Sequence, residues 1–510
     1  MNFKPVALMV GVLLFWPTGS ISARPELVDS DGDGIPDIYE TQGVRDKNGK
    51  MLVDLKAMGA DPKHKDLFIQ CDWMASETHT HKPKSDALRI VIEAFANSPV
   101  ANPDGTTGIH LHVDAGPKSV MNPVTGAKWE HLSQAHEVPH LDNLGTEDAS
   151  GSYDWQPLDL IKVESFALAR TPVFRYCLWA HDYAHSGSSG IARGLPGDDF
   201  LVTLGTFEGE AGTVLEQAGT FMHELGHTLG LEHGGSDSEN FKPNFLSIMS
   251  YLYQFQGLRI DGLDGTFDYS RFAVPSLKET ALLPTIAGIP PGYGVRWRVV
   301  HNGQTIDLVS DQASHVDWIQ QGHESPTALS LDVNGDGQVG ELKGVPDEWE
   351  ALSYVGDAVG DFTDVPTPGV KPTQGAHRAP PPRFTQNKET ATRKEADLIH
   401  PDYEVSLEMA DGVKGVPNST VILHLVIENE GTKADTYVLS AEQDEGWADL
   451  RKLPKTVSVA AGKSLTIDIP VHVPANAKPG QVETVGVEAV SQANHKILDE
   501  TEGTVIVPKF

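Results

Sequence analysis

Residues Phe221–Gly235 read FMHELGHTLGLEHGG, placing three histidines and a glutamate in an otherwise apolar run. His223 and His227 are four positions apart. On a helix that spacing is about 6 Å of rise and about 40° past a full turn, so both imidazoles leave one face and one metal can take both. Glu224, beside the first, can reach a water at that metal without binding the metal itself. Gly230 can adopt the φ > 0 conformation that ends a helix, and a chain turned there brings His233 back as a third ligand. Three neutral nitrogens suit Zn²⁺ and leave a fourth tetrahedral position open, the pattern of catalytic rather than structural zinc. Zinc lowers the pKa of water to about 7, and Glu224 is placed to take its proton and return it to a leaving amine. The chemistry implied is hydrolysis of a carbonyl-type bond, most naturally a peptide.

With 49 glycines and 21 histidines in 510 residues, fixing Gly230 and His233 lowers the accidental rate of the pattern about 250-fold relative to HExxH alone. Met249 follows in SIMSY, Ser247–Tyr251. Taken together, His223-Glu224-x-x-His227-x-x-Gly230-x-x-His233 and Met249 resemble the metzincin clan of zinc endopeptidases. The likeness is to secreted bacterial metzincin-like proteases and covers about Lys65 to Tyr354. It implies an α/β (α+β) zincin/metzincin catalytic domain with a mixed, mostly parallel sheet and an active-site helix. It also implies that Met249 floors the site and that Tyr251 is similar to the tyrosine that astacins and serralysins use as an extra zinc ligand and transition-state donor. By the same resemblance DFLVTLGTF, Asp199–Phe207, is the edge strand that pairs with extended substrate. The chain departs from the astacins at Gly234, where they carry Glu, and in a shorter stretch from His233 to Met249; it has no cysteine-switch prosegment.

Working outward, residues 1–23 carry one lysine, a short apolar run and small residues, which reads as a secretory signal and implies a secreted, cell-surface or periplasmic protein. Residues 24–60 contain DSDGDGIPDIYE, which fits the twelve-place calcium loop from Asp29 to Glu40. There Asp29, Asp31, Asp33 and Glu40 offer carboxylates, Ile35 a carbonyl and Asp37 a contact through water. In the catalytic domain, residues 61–330, a strand, a helix with Ser85 as N-cap and a second strand suggest a βαβ unit. Residues 331–362 hold DVNGDGQVGELK, a second loop with Asp332, Asn334, Asp336 and the Gln338 carbonyl. Its twelfth place is Lys343, so calcium there is weaker or completed from elsewhere. Both calcium sites would be structural. A Pro-rich linker spans residues 363–399. Alternating short strands over residues 400–510 suggest an all-β immunoglobulin-like sandwich, read as a spacer or as a dock for an extracellular surface or glycan.

The chain has 71 acidic and 39 basic residues, a net charge of −32. That balance repels nucleic acid and anionic membrane and favours cations. No segment beyond the leader is long and apolar enough to span a bilayer. Cys71 and Cys177 lie in strand-like runs; they can pair in an oxidising compartment or remain buried thiols. The histidines of THTH (His79, His81), HLH (His110, His112) and HDYAH (His181, His185) read as surface or strand residues rather than ligands. The sequence therefore predicts a secreted, calcium-stabilised zinc endopeptidase acting on protein or peptide substrates. Its rival is a calcium-dependent adhesion or matrix-binding protein with a vestigial zinc site. Glu224 weighs against that rival, because a relic has no need of a general base.

Overall fold

A computed structural model describes residues 27–76, 79–149, 152–356, 358–362, 365 and 391–509. The leader over residues 1–23 and most of the linker lie outside the described residues. The fold is mixed α/β and mostly β, with sheets at its C-terminal end.

The central sheet is built from strands β1 (Asp66–Ala75), β2 (His110–Asp114), β3 (Glu137–Pro139), β4 (Phe174–Ala180), β5 (Gly190–Gly194) and β6 (Gly197–Thr203). Their order across the sheet is β2-β1-β4-β6-β5, and β3 pairs with the far end of β1. All pairings are parallel except β5 with β6. Side chains on a strand alternate between faces, so β1 serves two cores. Leu67, Ile69 and Cys71 pack with helices α2 (Ser85–Ala96) and α3 (Val214–Thr228). Phe68 and Met74 pack with Ile35, Tyr39, Leu55 and Met58 of the N-terminal segment. Both faces are thus covered, as a mainly parallel sheet requires.

The edge strand differs from the one the sequence predicts. Phe200, Leu201 and Val202 are buried between β4 and β5, and the edge falls to β5, with the sequence GIARG. A continuous apolar run marks a strand covered on both faces, not an edge.

Helix α3 begins with a capping box: Thr213 Oγ1 accepts from Glu216 N at 3.3 Å, and Glu216 Oε2 accepts from Thr213 N at 2.8 Å. Helix α2 is capped differently from the expectation. Lys84, not Ser85, holds the N-cap position, and the cap comes from Glu500, which accepts from Asp86 N at 3.0 Å and from the Ser85 hydroxyl.

Residues 400–509 form a three-stranded and a five-stranded sheet. Pairing is antiparallel except where Val413–Lys414 runs parallel to Leu498–Ile506. This region is tied to helix α3 and to the start of α2. Buried Asp499 accepts from Val214 N, the first residue of α3, at 2.9 Å and from Lys84 Nζ at 2.7 Å. The second calcium-loop region is likewise woven in, since Glu341–Leu342 pairs with Leu277–Lys278.

One further expectation changes, and one left open is described. The end of the linker is ordered chain: Ala391 is buried, its carbonyl accepts from Ser189 N at 2.9 Å, and Thr392 caps a short helix, Arg393–Ala396. Cys71 and Cys177 are register partners on β1 and β4 and stand as free buried thiols.

Candidate metal centre

The three histidines converge. His227 Nε2 lies 3.1 Å from His223 Nε2 and 3.0 Å from His233 Nε2. Two nitrogens on one zinc at about 2.0–2.1 Å with tetrahedral angles stand about 3.3 Å apart. For His223 and His227 the other ring nitrogens explain why the contact between them is not a hydrogen bond. His223 Nδ1 donates to the Ile248 carbonyl at 2.9 Å, and His227 Nδ1 donates to the Leu231 carbonyl at 2.8 Å. A neutral imidazole that donates from Nδ1 has only a lone pair at Nε2. Lone pairs therefore face each other at 3.1 Å, and a cation between them relieves the repulsion. Burial, and next to it the His227 ring, holds His223 well below its ordinary pKa, so protons do not fill that role.

Local sequence places each ring. Helix α3 supplies His223 and His227; Gly230, at φ +92°, turns the chain, with Gly230 N on the His227 carbonyl and Leu231 N on the Gly226 carbonyl, both at 2.9 Å. The turn around Met249 supplies Ile248, whose carbonyl orients His223. Met249 Sδ packs against Gly226, in the space a Cβ there would fill. Tyr251 completes the ring cluster, its hydroxyl 3.5 Å from His233 Nε2 and its ring centroid 4.9 Å from that of His233.

Glu224 is fully buried, and both carboxylate oxygens lack a hydrogen-bond partner among the described residues. Burial pushes its carboxyl well above the usual range. A carboxyl group without a partner among the described residues, beside three converging imidazole nitrogens, is costly to keep unless a cation and a water complete the site. The donor set therefore fits zinc, with Glu224 outside the ligand shell. Sequence reasoning missed Gly190 on β5, where a Cβ would meet Glu224 Cγ at 2.8 Å and the Leu201 carbonyl at 2.6 Å. Glycine bounding an edge strand was the available signal.

The first acidic loop also closes. Asp29 accepts from Gly32 N and Gly34 N, and Asp33 Oδ1 from Ile35 N at 2.7 Å. Asp29, Asp31 and Asp33 form one cluster able to hold an ion; Asp33, Glu40 and Asp66 form another. Glu40 is buried, and neither of its carboxyl oxygens has a hydrogen-bond partner among the described residues. Burial first, and neighbouring carboxylates after it, push Asp31 up to about 6, Asp33 to about 8 and Glu40 to about 10. Asp66 comes from β1 and is bonded by His112; no local spacing connects it to the loop. Asp37 departs from the expectation, because its carboxylate caps Ser30 as the first residue of helix α1 (Asp37–Gln42).

The second loop repeats the same turns. Asp332 accepts from Gly335 N at 2.7 Å and Gly337 N at 2.8 Å, and Asp336 from Gln338 N at 2.7 Å. In place of a twelfth-position acid, Glu279 clamps Val333 N and Gly340 N, and Asn334 Nδ2 donates to Glu239.

Among the described residues no helix is long and apolar enough to cross a membrane. No family model matches the chain, and no curated protein matches it. Solved structures match over short stretches. Native alpha-2-macroglobulin from Escherichia coli, spanning domain MG7 to the C-terminus, shares 18% identity over 21% of this chain and 17% of that one, with a TM-score of 0.19. The FixG-related protein from Vibrio parahaemolyticus shares 13% over 21% and 96%, at 0.16. The ASH / PapD-like domain of human CEP192 shares 15% over 27% and 99%, at 0.18. The chain thus spans less than a fifth of the alpha-2-macroglobulin chain, and likenesses at these scores identify neither its fold family nor its activity.

Proposed function

We propose that this chain is a secreted zinc-dependent endopeptidase of the metzincin kind, stabilised by calcium, with an immunoglobulin-like C-terminal region. The observation that carries the reading is the convergence of three Nε2 atoms beside a buried Glu224 that has no hydrogen-bond partner among the described residues. His223, His227 and His233 would hold the metal, which when bound supplies a Lewis acid to a substrate carbonyl and makes water acidic near neutral pH. Glu224 takes a proton from the attacking water and passes it to the leaving amine. The Tyr251 hydroxyl donates to the developing oxyanion. Extended substrate adds to the edge strand β5, where main-chain hydrogen bonds align the scissile bond. Calcium at Asp29, Asp31, Asp33 and Glu40, with Asp66, fastens the N-terminal segment to β1.

Casein or gelatin digestion tests the reading. Cleavage that stops with a zinc chelator, returns with zinc and is lost in Glu224→Ala supports it. A Glu224→Ala protein with full activity refutes the mechanism. No cleavage by a protein that loses zinc on His223→Ala/His227→Ala favours the adhesion alternative.

A further inference from the structure

The histidines the sequence assigned to surface or strand positions do not all behave so. His185 is exposed, and His110 and His112 serve Asp66. His79, His81 and His181, however, meet His140, and one nitrogen from each of the four lies within 4.8 Å of the others. We propose that these four residues form a second, closed zinc site that is structural.

Three observations carry it. The first is spacing: His81 Nε2 stands 2.9 Å from His79 Nε2 and 3.3 Å from His140 Nε2, close to the nitrogen separation on one tetrahedral zinc, about 3.3 Å.

The second is shape. All six pairs of ring centroids fall between 4.4 and 5.6 Å. Four imidazoles around a tetrahedral metal place every pair of centroids about 5.2 Å apart. A square-planar set would instead open two pairs to about 6.4 Å, and none is that wide, so the arrangement selects zinc over copper(II) or nickel(II).

The third is unsatisfied polarity. His181 Nδ1 is sealed from solvent with no hydrogen-bond partner among the described residues. Protons can pair two imidazoles but cannot join four at a point, whereas one cation satisfies all of them. Outside the ring set, the exposed carboxylates of Glu210 and Asp142 lie 3.6 Å from His79 Nδ1 and His140 Nδ1, near enough to favour a cation by charge but too far for hydrogen bonds.

The site's place in the fold gives it a purpose. His81 N donates to Met74 O, His140 N to Ala75 O, and Gly205 N to His181 O, so the cluster lies beyond the carboxyl ends of β1, β3 and β4. Ligands of open α/β sheets gather at that end. Four protein ligands leave no position for water, so the metal would tie three strand ends and the chain leading into α2 together rather than take part in hydrolysis. The proposal stands independently of the protease reading.

Metal content of the full-length protein tests it, with zinc alone and then cobalt(II) as probes. Wild type is expected to hold two equivalents of zinc, and His223→Ala/His227→Ala to keep one. Cobalt in that variant should give the intense visible bands of a tetrahedral nitrogen site. His81→Ala should lose one equivalent and melt at a lower temperature. A His223→Ala/His227→Ala protein with native circular dichroism that binds neither metal overturns the proposal, as does a folded His81→Ala protein that retains two. If His81→Ala does not fold, the first variant and its cobalt spectrum still decide.

Discussion

At the scale of single residues, Glu224 is the side chain most at odds with its surroundings. A carboxylate with no partner in a dry core is destabilising, and a sequence selected for stability alone would replace it. Glu224→Gln is therefore expected to melt higher than wild type in the metal-free state while losing about 10²–10⁴-fold in kcat. Its zinc content should not change, which calorimetry, peptide hydrolysis and elemental analysis would read separately. Tyr251 makes the complementary case. Its hydroxyl touches His233, so Tyr251→Phe removes a donor needed only as charge develops. The expected result is a fall of about 10²–10³ in kcat with KM nearly unchanged; a change confined to KM would assign Tyr251 to substrate binding instead.

Among the elements, α3 is gripped from three sides, and glycines set how closely each neighbour comes. Gly219 admits the Gln254 carbonyl, Gly226 admits Met249 Sδ, and Gly190 brings β5 against Glu224. Gly190→Ala should push Glu224 out of place, lowering kcat while zinc content holds. The N-terminus of α3 is held from the far end of the chain. Asp499→Ala removes the acceptor from Val214 N and the partner of Lys84, and should cost about 2 kcal/mol, the upper end of what losing a cap costs. Denaturant melts would measure it, and an unchanged midpoint would mean that the C-terminal sheets do not brace the helix. The histidine trio was legible because its residues sit within a few helical turns, where periodicity alone fixes direction. The β5 edge was not, because a five-residue strand with glycine at both ends carries little strand signal, and only pairing with β6 defines it.

For the whole molecule, the junction between the central sheet and the C-terminal sheets buries acid. Burial, then the neighbouring Glu430, pushes Glu404 up to about 8, and burial, then Glu208, pushes Glu430 to about 7. Between the ordinary value of 4.5 and these values the folded state holds protons that the unfolded chain has released. Their contribution is thus complete below about 4.5 and is lost as pH rises toward 8. The melting temperature should fall over that window, and Glu404→Gln should flatten the fall; equal slopes in the two proteins would exclude Glu404 as its source. Calcium should act on the same scale. At a hundredfold excess over its Kd it should add about 2.7 kcal/mol, an increment that Glu40→Gln abolishes. Thermal melts with calcium and with a calcium chelator read both.

The sequence by itself determined what depends on neighbours along the chain: the two histidines on one helical face, the glycine that turns His233 back, the register of the acidic loops, and the strand alternation of the C-terminal region. These follow from helical and extended periodicity and from the φ freedom of glycine, which act within about a dozen residues. Only the tertiary structure decided which distant groups meet. Asp66 joins the first acidic loop, Asp499 and Glu500 cap helices 285 and 414 residues earlier, and His140 completes a ring cluster with His79, His81 and His181. Parallel strands with long crossovers bring such residues to one end of a sheet, and strand order is a property of the whole packed molecule that no local pattern encodes.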